Sequence, residues 1–323
     1  MAGEFKLIDK LFAGHDAAKG VMLGVGDDCA LIALPGAQYL ALTTDTMVEG
    51  RHFFAGTKPY YLGWRALAVN LSDLAAMGAR PRYFLLSITH PDGNKRFLKS
   101  FAQGMFALAK EEKVALIGGN MAKGPLSITI TAIGTCKPGR AMERSGAQVG
   151  DELYVTGTLG GPGLYVKAGM GELKLSPSLM AELYAKAFLL PCRARFAKRL
   201  AKICRCAIDI SDGLVGDLRH ICTQSQVGAQ VVLDTLPLPP EFLLPEVTAR
   251  LSLDERLHLA LYGGCDYELL FSLAPDKVST MLSLAQRYQV PVTKIGLITH
   301  RRQGLQLYFQ GQRQTLKPGF EHF

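Results

Sequence analysis

Five aspartates that stand within or beside apolar segments limit most strongly how this chain of 323 residues can fold. An unpaired carboxylate costs roughly several kcal/mol to remove from water, so each must be protonated, paired with a cation or bound to a metal. Arg and Lys are scarce beside these motifs. Because carboxylate oxygens suit hard divalent cations, the sequence predicts magnesium binding, with a Mg-nucleotide as the ligand. The five residues are Asp28, Asp45, Asp73, Asp209 and Asp212.

Some of these aspartates also have an ordinary structural interpretation. Asp212 precedes Gly213 at a predicted helix start, so it could simply cap that helix together with Ser211. Asp73 lies inside a predicted buried helix, where capping does not apply, and Asn70 lies three residues earlier on the same face. Hydroxyls beside carboxylates resemble the oxygen sets that hold magnesium against phosphates. The hydroxyls are those of Thr43, Thr44 and Ser211.

Alternating strand and helix patterns predict an α+β or α/β fold with two domains, 1–147 and 148–323. The first half has strand signals at 29–34, 39–44, 82–89, 114–118 and 126–135, and helix signals at 4–13, 60–78 and 94–112. The second half has strand signals at 152–156, 206–210, 229–234, 267–273 and 292–298. Its helices are predicted after the turn 157–163, at 176–189 and 193–203, after Asp212, and at 252–262 and 275–288.

The basic residues outnumber the acidic ones, 36 to 28, and such an excess could attract nucleic acid, membranes or small anions. Six of them crowd one predicted helix without an aromatic platform or a nucleic-acid-binding motif. We therefore expect a solvated helix face and no nucleic-acid partner, with a phosphate or nucleic-acid patch as the alternative. The six are Arg193, Arg195, Lys198, Arg199, Lys202 and Arg205.

The start of the chain contains acidic residues and no long apolar run. This pattern argues against a secretory signal or a membrane span and predicts a cytoplasmic protein. The seven cysteines form no Cys-x-x-Cys pair and are expected to be buried, reduced thiols.

Two glycine-rich segments follow predicted strands, where bare backbone can approach phosphate or ribose oxygens. They are Gly118-Gly-Asn and the turn 157–163. Neither ends in the Gly-Lys-Ser/Thr of a P-loop, and protein-kinase signatures are absent. Arg144 could offer its guanidinium to a phosphate, although a lone exposed arginine is usually structural. His52 is ambiguous by itself.

Together, the motifs are similar to those of the bacterial thiamine-monophosphate kinase family. They are Gly24-Val-Gly-Asp-Asp, Thr43-Thr-Asp-Thr, Ala68-Val-Asn-Leu-Ser-Asp, Gly118-Gly-Asn, Ala207-Ile-Asp-Ile-Ser-Asp-Gly and Gly263-Gly-Cys-Asp-Tyr-Glu. The resemblance runs in order along nearly the whole chain. It implies the fold of aminoimidazole ribonucleotide synthetase, in which an N-terminal α+β domain pairs across a homodimer and a C-terminal α/β domain packs behind it.

The resemblance also implies an activity and a set of site residues. ATP would phosphorylate thiamine monophosphate directly, giving thiamine diphosphate and ADP, with several magnesium ions and no phosphoenzyme. Metal binding is implied for Asp28, Thr43, Thr44, Asp45, Asp73, Asn120, Asp209 and Asp212. ATP binding is implied for Gly119, Asn120, Arg144 and Ser211, and substrate binding for His52, Cys265 and Phe320.

Two positions depart from the pattern of the family. Asn120 stands where the family usually has aspartate, and Cys265 stands where it has glutamate. Asparagine keeps a carbonyl oxygen for magnesium but removes a charge whose interaction is worth about 4 kcal/mol at an effective dielectric of about 20. We therefore expect weaker magnesium binding. The replacement of glutamate by Cys265 is expected to change substrate affinity or identity. The alternatives are another ATP-using synthetase on this scaffold and a non-catalytic nucleotide-binding protein.

Overall fold

The computed structural model describes residues 19–315, and its first sheet has six strands in the order β1-β2-β3-β6-β4-β5. The strands are β1 (Val21–Leu23), β2 (Ala30–Leu34), β3 (Gln38–Val48), β4 (Arg80–His90), β5 (Ala115–Lys123) and β6 (Ser127–Cys136). Two long helices, α1 (Pro59–Ala76) and α2 (Lys95–Glu112), share a hydrophobic core with this sheet. The first half is therefore an α+β unit with its helices on one face.

Alternation along β6 defines the two faces of this sheet. Ile128 and Ile130 are buried in the core with the helices, whereas Thr129 and Thr131, which alternate with them, are only partly buried. Side chains of directly paired residues lie on the same face of a sheet. Asp45 pairs with Ile130, which places it on the helix side, and Thr44 pairs with Thr131, which places it on the outer face.

The second sheet has seven strands in the order β13-β12-β9-β11-β7-β10-β8. The strands are β7 (Glu152–Thr156), β8 (Cys206–Asp209), β9 (Val227–Val232), β10 (Leu269–Leu273), β11 (Val292–His300), β12 (Leu305–Phe309) and β13 (Gln312–Gln314). The helices are α3 (Gly161–Gly169), α4 (Pro177–Phe188), α5 (Ala194–Leu200), α6 (Leu214–Gln224), α7 (Pro245–Thr248), α8 (Leu253–Tyr262) and α9 (Val278–Tyr288). The predicted two-domain fold class is confirmed.

Helix α1 lies at the junction of the two halves. It packs against α4, α5 and β8 as well as against the first sheet. The core of the first half also includes buried residues of α3 and α4. Side chains on α1 can therefore face either domain.

Several element predictions were incomplete. Strands β1, β12 and β13 were not predicted, and β5 continues to Lys123, so Gly119 and Asn120 lie within a strand instead of just after one. Helix α5 ends at Leu200, earlier than expected. The helix predicted at 4–13 lies outside the described residues, and the domain boundary near 147 stays a prediction.

The basic run around α5 is only partly a solvated face. Arg193 donates to both carboxylate oxygens of Glu268, at 2.7 and 2.6 Å, and its side chain is 14% exposed. Arg195 pairs with Glu112 of α2, and Arg205 donates to the carbonyl of Gly139. The contacts of Arg195 and Arg205 attach the second half to the first, whereas Arg193 and Glu268 both belong to the second half. Arg195 and Arg205 remain exposed, so among these three residues the predicted solvated face was wrong for Arg193.

Residues 19–315 include all seven cysteines. All seven cysteines are free thiols; Cys29, Cys136, Cys204 and Cys206 are buried, whereas the other three are half-buried. The predicted burial therefore holds for four of the seven. Within the described range, no helix has the length and apolarity needed to cross a membrane.

Candidate active site

Three of the five predicted aspartates meet beside α1. Asp28 precedes β2, Asp73 lies on α1 and Asp209 ends β8. Each offers a carboxylate oxygen, and these oxygens all lie within 4.8 Å of one another. We call these three residues the aspartate cluster. They come from both halves of the chain, so the cluster exists only when the two domains are packed together.

The other two aspartates lie around this cluster. Asp45 is close enough to raise the pKa values of Asp73 and Asp209, and its backbone N–H donates to Asn70 Oδ1 at 3.1 Å. Asp212 follows Asp209 by three residues. Asp28 and Asp209 are buried, whereas Asp45, Asp73 and Asp212 are half-buried. The expected burial of all five aspartates therefore holds fully for only two.

Desolvation and mutual repulsion disfavour the charged form of the cluster. Burial is the largest cause of the raised pKa of Asp73, followed by the charges of Asp45, Asp209 and Asp28. Burial, then Asp28, raises the pKa of Asp209, which a hydrogen bond from Ser72 partly offsets. A positive charge among these carboxylates would relieve both effects.

The donor set fits a hard divalent cation. One carboxylate oxygen of Asp28 and one of Asp209 are buried and accept no hydrogen bond from any residue within 19–315. A buried carboxylate oxygen without a donor is costly. Thr43 Oγ1 donates to Asp73 Oδ2 at 2.5 Å, so a predicted hydroxyl joins the cluster. Oxygen-only ligands are those preferred by magnesium.

Arg144 supplies a counter-charge on one side of the cluster. Its Nη2 donates to Asp28 Oδ1 at 2.7 Å, and its Nε lies 3.7 Å from Asp27 Oδ1. Asp27 also accepts from the backbone N–H groups of Arg144 and Asp28. Burial, then the charge of Asp28, raises the pKa of Asp27 to about 7. Arg144 thus faces carboxylates in this structure, and its contact with ATP stays a prediction.

Sequence reasoning missed Asp27 and Asp217. Asp217 on α6 is buried, and its Oδ2 accepts from the backbone N–H of Asp212 at 3.2 Å. The prediction that Ser211 or Asp212 caps this helix was wrong, because Gly213 is the N-cap residue and no side chain caps it. Two sequence features could have identified them: Asp27 is the first of the paired aspartates in Gly-Asp-Asp, and Asp217 follows Gly213 by four residues.

The segment Gly263–Glu268 packs against the residues that follow Asp209. The backbone N–H of Cys265 donates to the Ser211 carbonyl at 2.7 Å, and that of Tyr267 donates to the Ile210 carbonyl at 2.8 Å. Cys265 and Tyr267 both have positive φ, 63° and 51°, which is uncommon for residues with a side chain. Two predicted site residues, Ser211 and Cys265, are therefore neighbours here.

The side chains of Thr44 and His52 bond to residues outside the aspartate cluster. Thr44 Oγ1 bonds to the Ile130 carbonyl and to Thr131 Oγ1 on the outer face of the first sheet, so its hydroxyl does not join the cluster. His52 lies in an exposed turn after β3, where its Nδ1 accepts from the Val48 N–H at 3.0 Å. Phe320 lies outside the described residues.

Gly119 and Asn120 lie on β5, the edge strand. Gly119 pairs with Leu86, Leu86 pairs with Ile130, and Ile130 pairs with Asp45. At about 4.8 Å per strand, β5 is roughly 14 Å from β3. Asn120 pairs with Ser87, and Ser87 pairs with Thr129, so Asn120 lies on the outer face of the sheet. A single chain therefore does not bring Asn120 to the aspartate cluster.

Close backbone approach explains the glycine at position 119. Its φ is 150°, and a Cβ there would stand 1.8 Å from the Leu86 carbonyl oxygen. No other residue type fits this contact without moving β4 or β5.

The chain matches two family models along most of its length. The model described as AIR synthase related protein, N-terminal domain, matches residues 26–136, and the corresponding C-terminal domain matches 148–307. A thiamine-monophosphate kinase from Buchnera aphidicola subsp. Schizaphis graminum is 38% identical over 324 residues, covering 99% of this chain and 98% of the relative.

Solved structures agree with the sequence comparison. The crystal structure of thiamine-monophosphate kinase from Stenotrophomonas maltophilia K279a is 37% identical, with a TM-score of 0.78 and coverage of 96% of this chain and 97% of that one. A structure described as AaThiL complexed with AMPPCP and TMP is 28% identical, with a TM-score of 0.83 and coverage of 99% and 97%. The chain therefore belongs to the AIR synthase related proteins and, within them, to the thiamine-monophosphate kinase family.

Proposed function

We propose that this protein transfers the γ-phosphoryl group of ATP directly to thiamine monophosphate, giving thiamine diphosphate and ADP. The observation that carries the proposal is the aspartate cluster at the junction of the two domains, in a chain of this family. The similar structure described as a complex with AMPPCP and TMP supports both ligands.

Several Mg²⁺ ions belong to this proposal. Asp28, Asp73 and Asp209 would hold the first, with Asp45 and Thr43 beside them. Bound magnesium would neutralise phosphate charge and so let two polyanions approach in line. Four further residues are proposed ligands or ATP contacts. They are Thr44, Gly119, Asn120 and Asp212.

The surrounding residues have defined tasks in this proposal. Arg144 holds Asp28 through its guanidinium, and Asn70 fixes the backbone of Asp45. Preorganised groups lower the cost of reaching the transition state because they need not reorient during transfer. Ser211 and Arg144 are proposed to contact ATP, and the proposed substrate contacts are His52, Cys265 and Phe320.

A homodimer is also part of the proposal. The outer face and edge of the first sheet expose apolar side chains, which commonly mark interaction surfaces. They are Tyr83, Leu85, Leu116, Ile117 and Met121, between 36% and 60% exposed. Size-exclusion chromatography with light scattering tests this arrangement, and a monomer at micromolar concentration would contradict it. We place the protein in the cytoplasm, where ATP is available.

The test of activity uses purified protein with ATP, MgCl₂ and thiamine monophosphate, followed by chromatographic detection of thiamine diphosphate. Asp209→Asn should remove product formation, because it changes the charge of the cluster with little change of shape. Asp276→Asn, whose side chain is 68% exposed, is the matched control and should retain the wild-type rate. Nucleotide binding without product at any magnesium concentration would overturn the proposal in favour of a non-catalytic protein.

A further inference from the structure

Arg65 is a buried cation at the junction of the two domains. It lies on α1 and is 5% exposed. Its Nη1 donates to the Ala187 carbonyl of α4, but its Nε is buried and has no hydrogen-bond partner among residues 19–315. Among the ion pairs of residues 19–315, none at 4.0 Å or less includes Arg65. A charge held in this way needs compensation from another source.

Two aromatic rings provide that compensation. The guanidinium carbon lies 5.5 Å from the ring centroid of Phe188 and 5.2 Å from that of Tyr267. Cation–π contacts of desolvated arginines are stronger than those at exposed sites. Phe188 belongs to α4 and Tyr267 to the segment Gly263–Glu268, so one side chain of the first half contacts two separate elements of the second.

Tyr267 connects Arg65 to the aspartate site. Its backbone N–H donates to the carbonyl of Ile210, the residue after Asp209. The charges of Asp45 and Asp209 contribute to the raised pKa of Tyr267, behind the larger effects of burial and Cys265. Tyr267 therefore contacts Arg65 through its ring and the strand end that carries Asp209 through its backbone.

The backbone of this segment requires external restraints. Positive φ angles at Cys265 and Tyr267 are unfavourable and persist only where surrounding contacts hold them. The end of the segment is fixed by Glu268, which accepts from Arg193 and from Thr156 Oγ1. The middle of the segment has the Arg65 contact and the two backbone hydrogen bonds to Ile210 and Ser211.

We propose that Arg65 is a positioning residue that holds Tyr267, and with it the segment Gly263–Glu268, against the aspartate site so that thiamine monophosphate binds productively. This inference rests on the proposed function, since it assigns that segment to the phosphate acceptor. ATP binding is assigned to other residues, of which Ser211 meets this segment through its backbone carbonyl. Loss of Arg65 should therefore affect the acceptor and the nucleotide unequally.

The kinetic test compares Arg65→Met with Arg65→Lys. Methionine keeps an unbranched apolar stem but removes the charge, so KM for thiamine monophosphate should rise about tenfold, while KM for ATP changes less than about twofold. Lysine keeps a cation near the rings and should recover most of the loss. Tyr267→Leu should reproduce the effect of Arg65→Met, and combining the two should add little, because both remove one contact.

Trp64→Phe is the matched control. Trp64 is the neighbour of Arg65 on α1. Its Nε1 donates to the Leu190 carbonyl at 3.1 Å, so it also joins the two domains, but through a residue outside the segment Gly263–Glu268. Its loss should leave the ratio of the two KM values unchanged. Equal increases of both KM values in Arg65→Met, matched by Trp64→Phe, would overturn the positioning role in favour of simple domain packing.

A second measurement does not depend on catalysis. Cys265 is half-buried, and its thiol can report on the segment through its rate of reaction with a disulfide reagent, followed by mass spectrometry of the labelled peptide. Arg65→Met should accelerate labelling of Cys265 several-fold relative to Cys222, which is half-buried on α6. Unchanged Cys265 labelling would overturn the inference. If the wild-type protein makes no thiamine diphosphate, the proposed function fails, while this labelling still tests the Arg65 contact.

Discussion

Asp73→Asn is expected to make the metal-free protein more stable while removing its activity. Carboxylate oxygens of Asp73 and Asp209 lie within 4.8 Å of each other, where two unit charges repel by about 3.5 kcal/mol at an effective dielectric of about 20. Asparagine carries no charge and so weakens the hydrogen bond from Thr43, which offsets part of this gain. We therefore expect a net gain of about 1–2 kcal/mol in the free energy of unfolding, or a few degrees in Tm.

The stability of the metal-free protein should depend on pH. Burial, and then the charges of Asp45, Asp209 and Asp28, raise the folded-state pKa of Asp73. A carboxyl with a raised folded-state pKa stabilises the protein below its unfolded-state pKa, and that stability is lost as pH rises through the folded value. The metal-free wild type should therefore lose stability as pH rises above the ordinary aspartate range, and Asp73→Asn should lose less.

Thermal unfolding in EDTA and in MgCl₂ measures both effects. Magnesium should raise the Tm of the wild type, because a ligand that binds only the folded state stabilises it, and should raise that of Asp73→Asn much less. Asp276→Asn controls for the loss of any carboxylate and should behave as the wild type does. Lower stability of Asp73→Asn in EDTA, or an undiminished magnesium effect, would refute the idea of an uncompensated cluster.

Three other substitutions test separate parts of the structure. Gly119→Ala should destabilise the protein by about 1–3 kcal/mol in urea unfolding, because its Cβ would overlap the backbone of Leu86; Gly118→Ala, which meets only a leucine methyl group at 3.3 Å, should cost less. Arg144→Met should cost about 3–5 kcal/mol by the same measurement, because it leaves buried carboxylates without their cation, and an unchanged unfolding midpoint would contradict the pairing. Asn120→Asp should lower the magnesium concentration for half-maximal rate without changing the magnesium effect on Tm, and an unaltered rate curve would exclude Asn120 from metal binding.

Local pattern was enough to predict most elements and the acidic character of the site. Asp73 within an apolar helix, three residues after Asn70, is a local anomaly that has few explanations other than a shared polar site. Two strands at the end of the chain were missed, because β12, Leu-Gln-Leu-Tyr-Phe, is only five residues long and β13, Gln-Arg-Gln, has no apolar residue. Strand β12 pairs with the distant β9, and β13 pairs with β12; a local pattern does not reveal these hydrogen bonds.

Long-range contacts determine the features of the site that could not be predicted from the sequence. Arg144 is separated from Asp28 by 116 positions, so the scarcity of basic residues beside the motifs said nothing about this ion pair. The side of the sheet on which Thr44 lies depends on the register between β3 and β6, since a shift by one residue would exchange the two faces. The position of Arg65 depends in the same way on how α1 packs against the second half.

Charge balance at the site connects these findings to the proposed use of several magnesium ions. Burial is the largest cause of the raised pKa values of Asp27, Asp28, Asp73 and Asp209, and Arg144 opposes the shift at Asp27, Asp28 and Asp209. The charge of Asp45 adds to the shift at Asp73 and Asp209, which makes five neighbouring carboxylates. Five carboxylates and one guanidinium leave four negative charges when all are ionised, which one divalent cation cannot balance. Because phosphate ligands add further negative charge, more than one ion is needed before ATP and thiamine monophosphate can approach each other. Asn120 lies outside this group, so its lack of charge bears on the nucleotide and leaves the charge of the aspartate cluster unchanged.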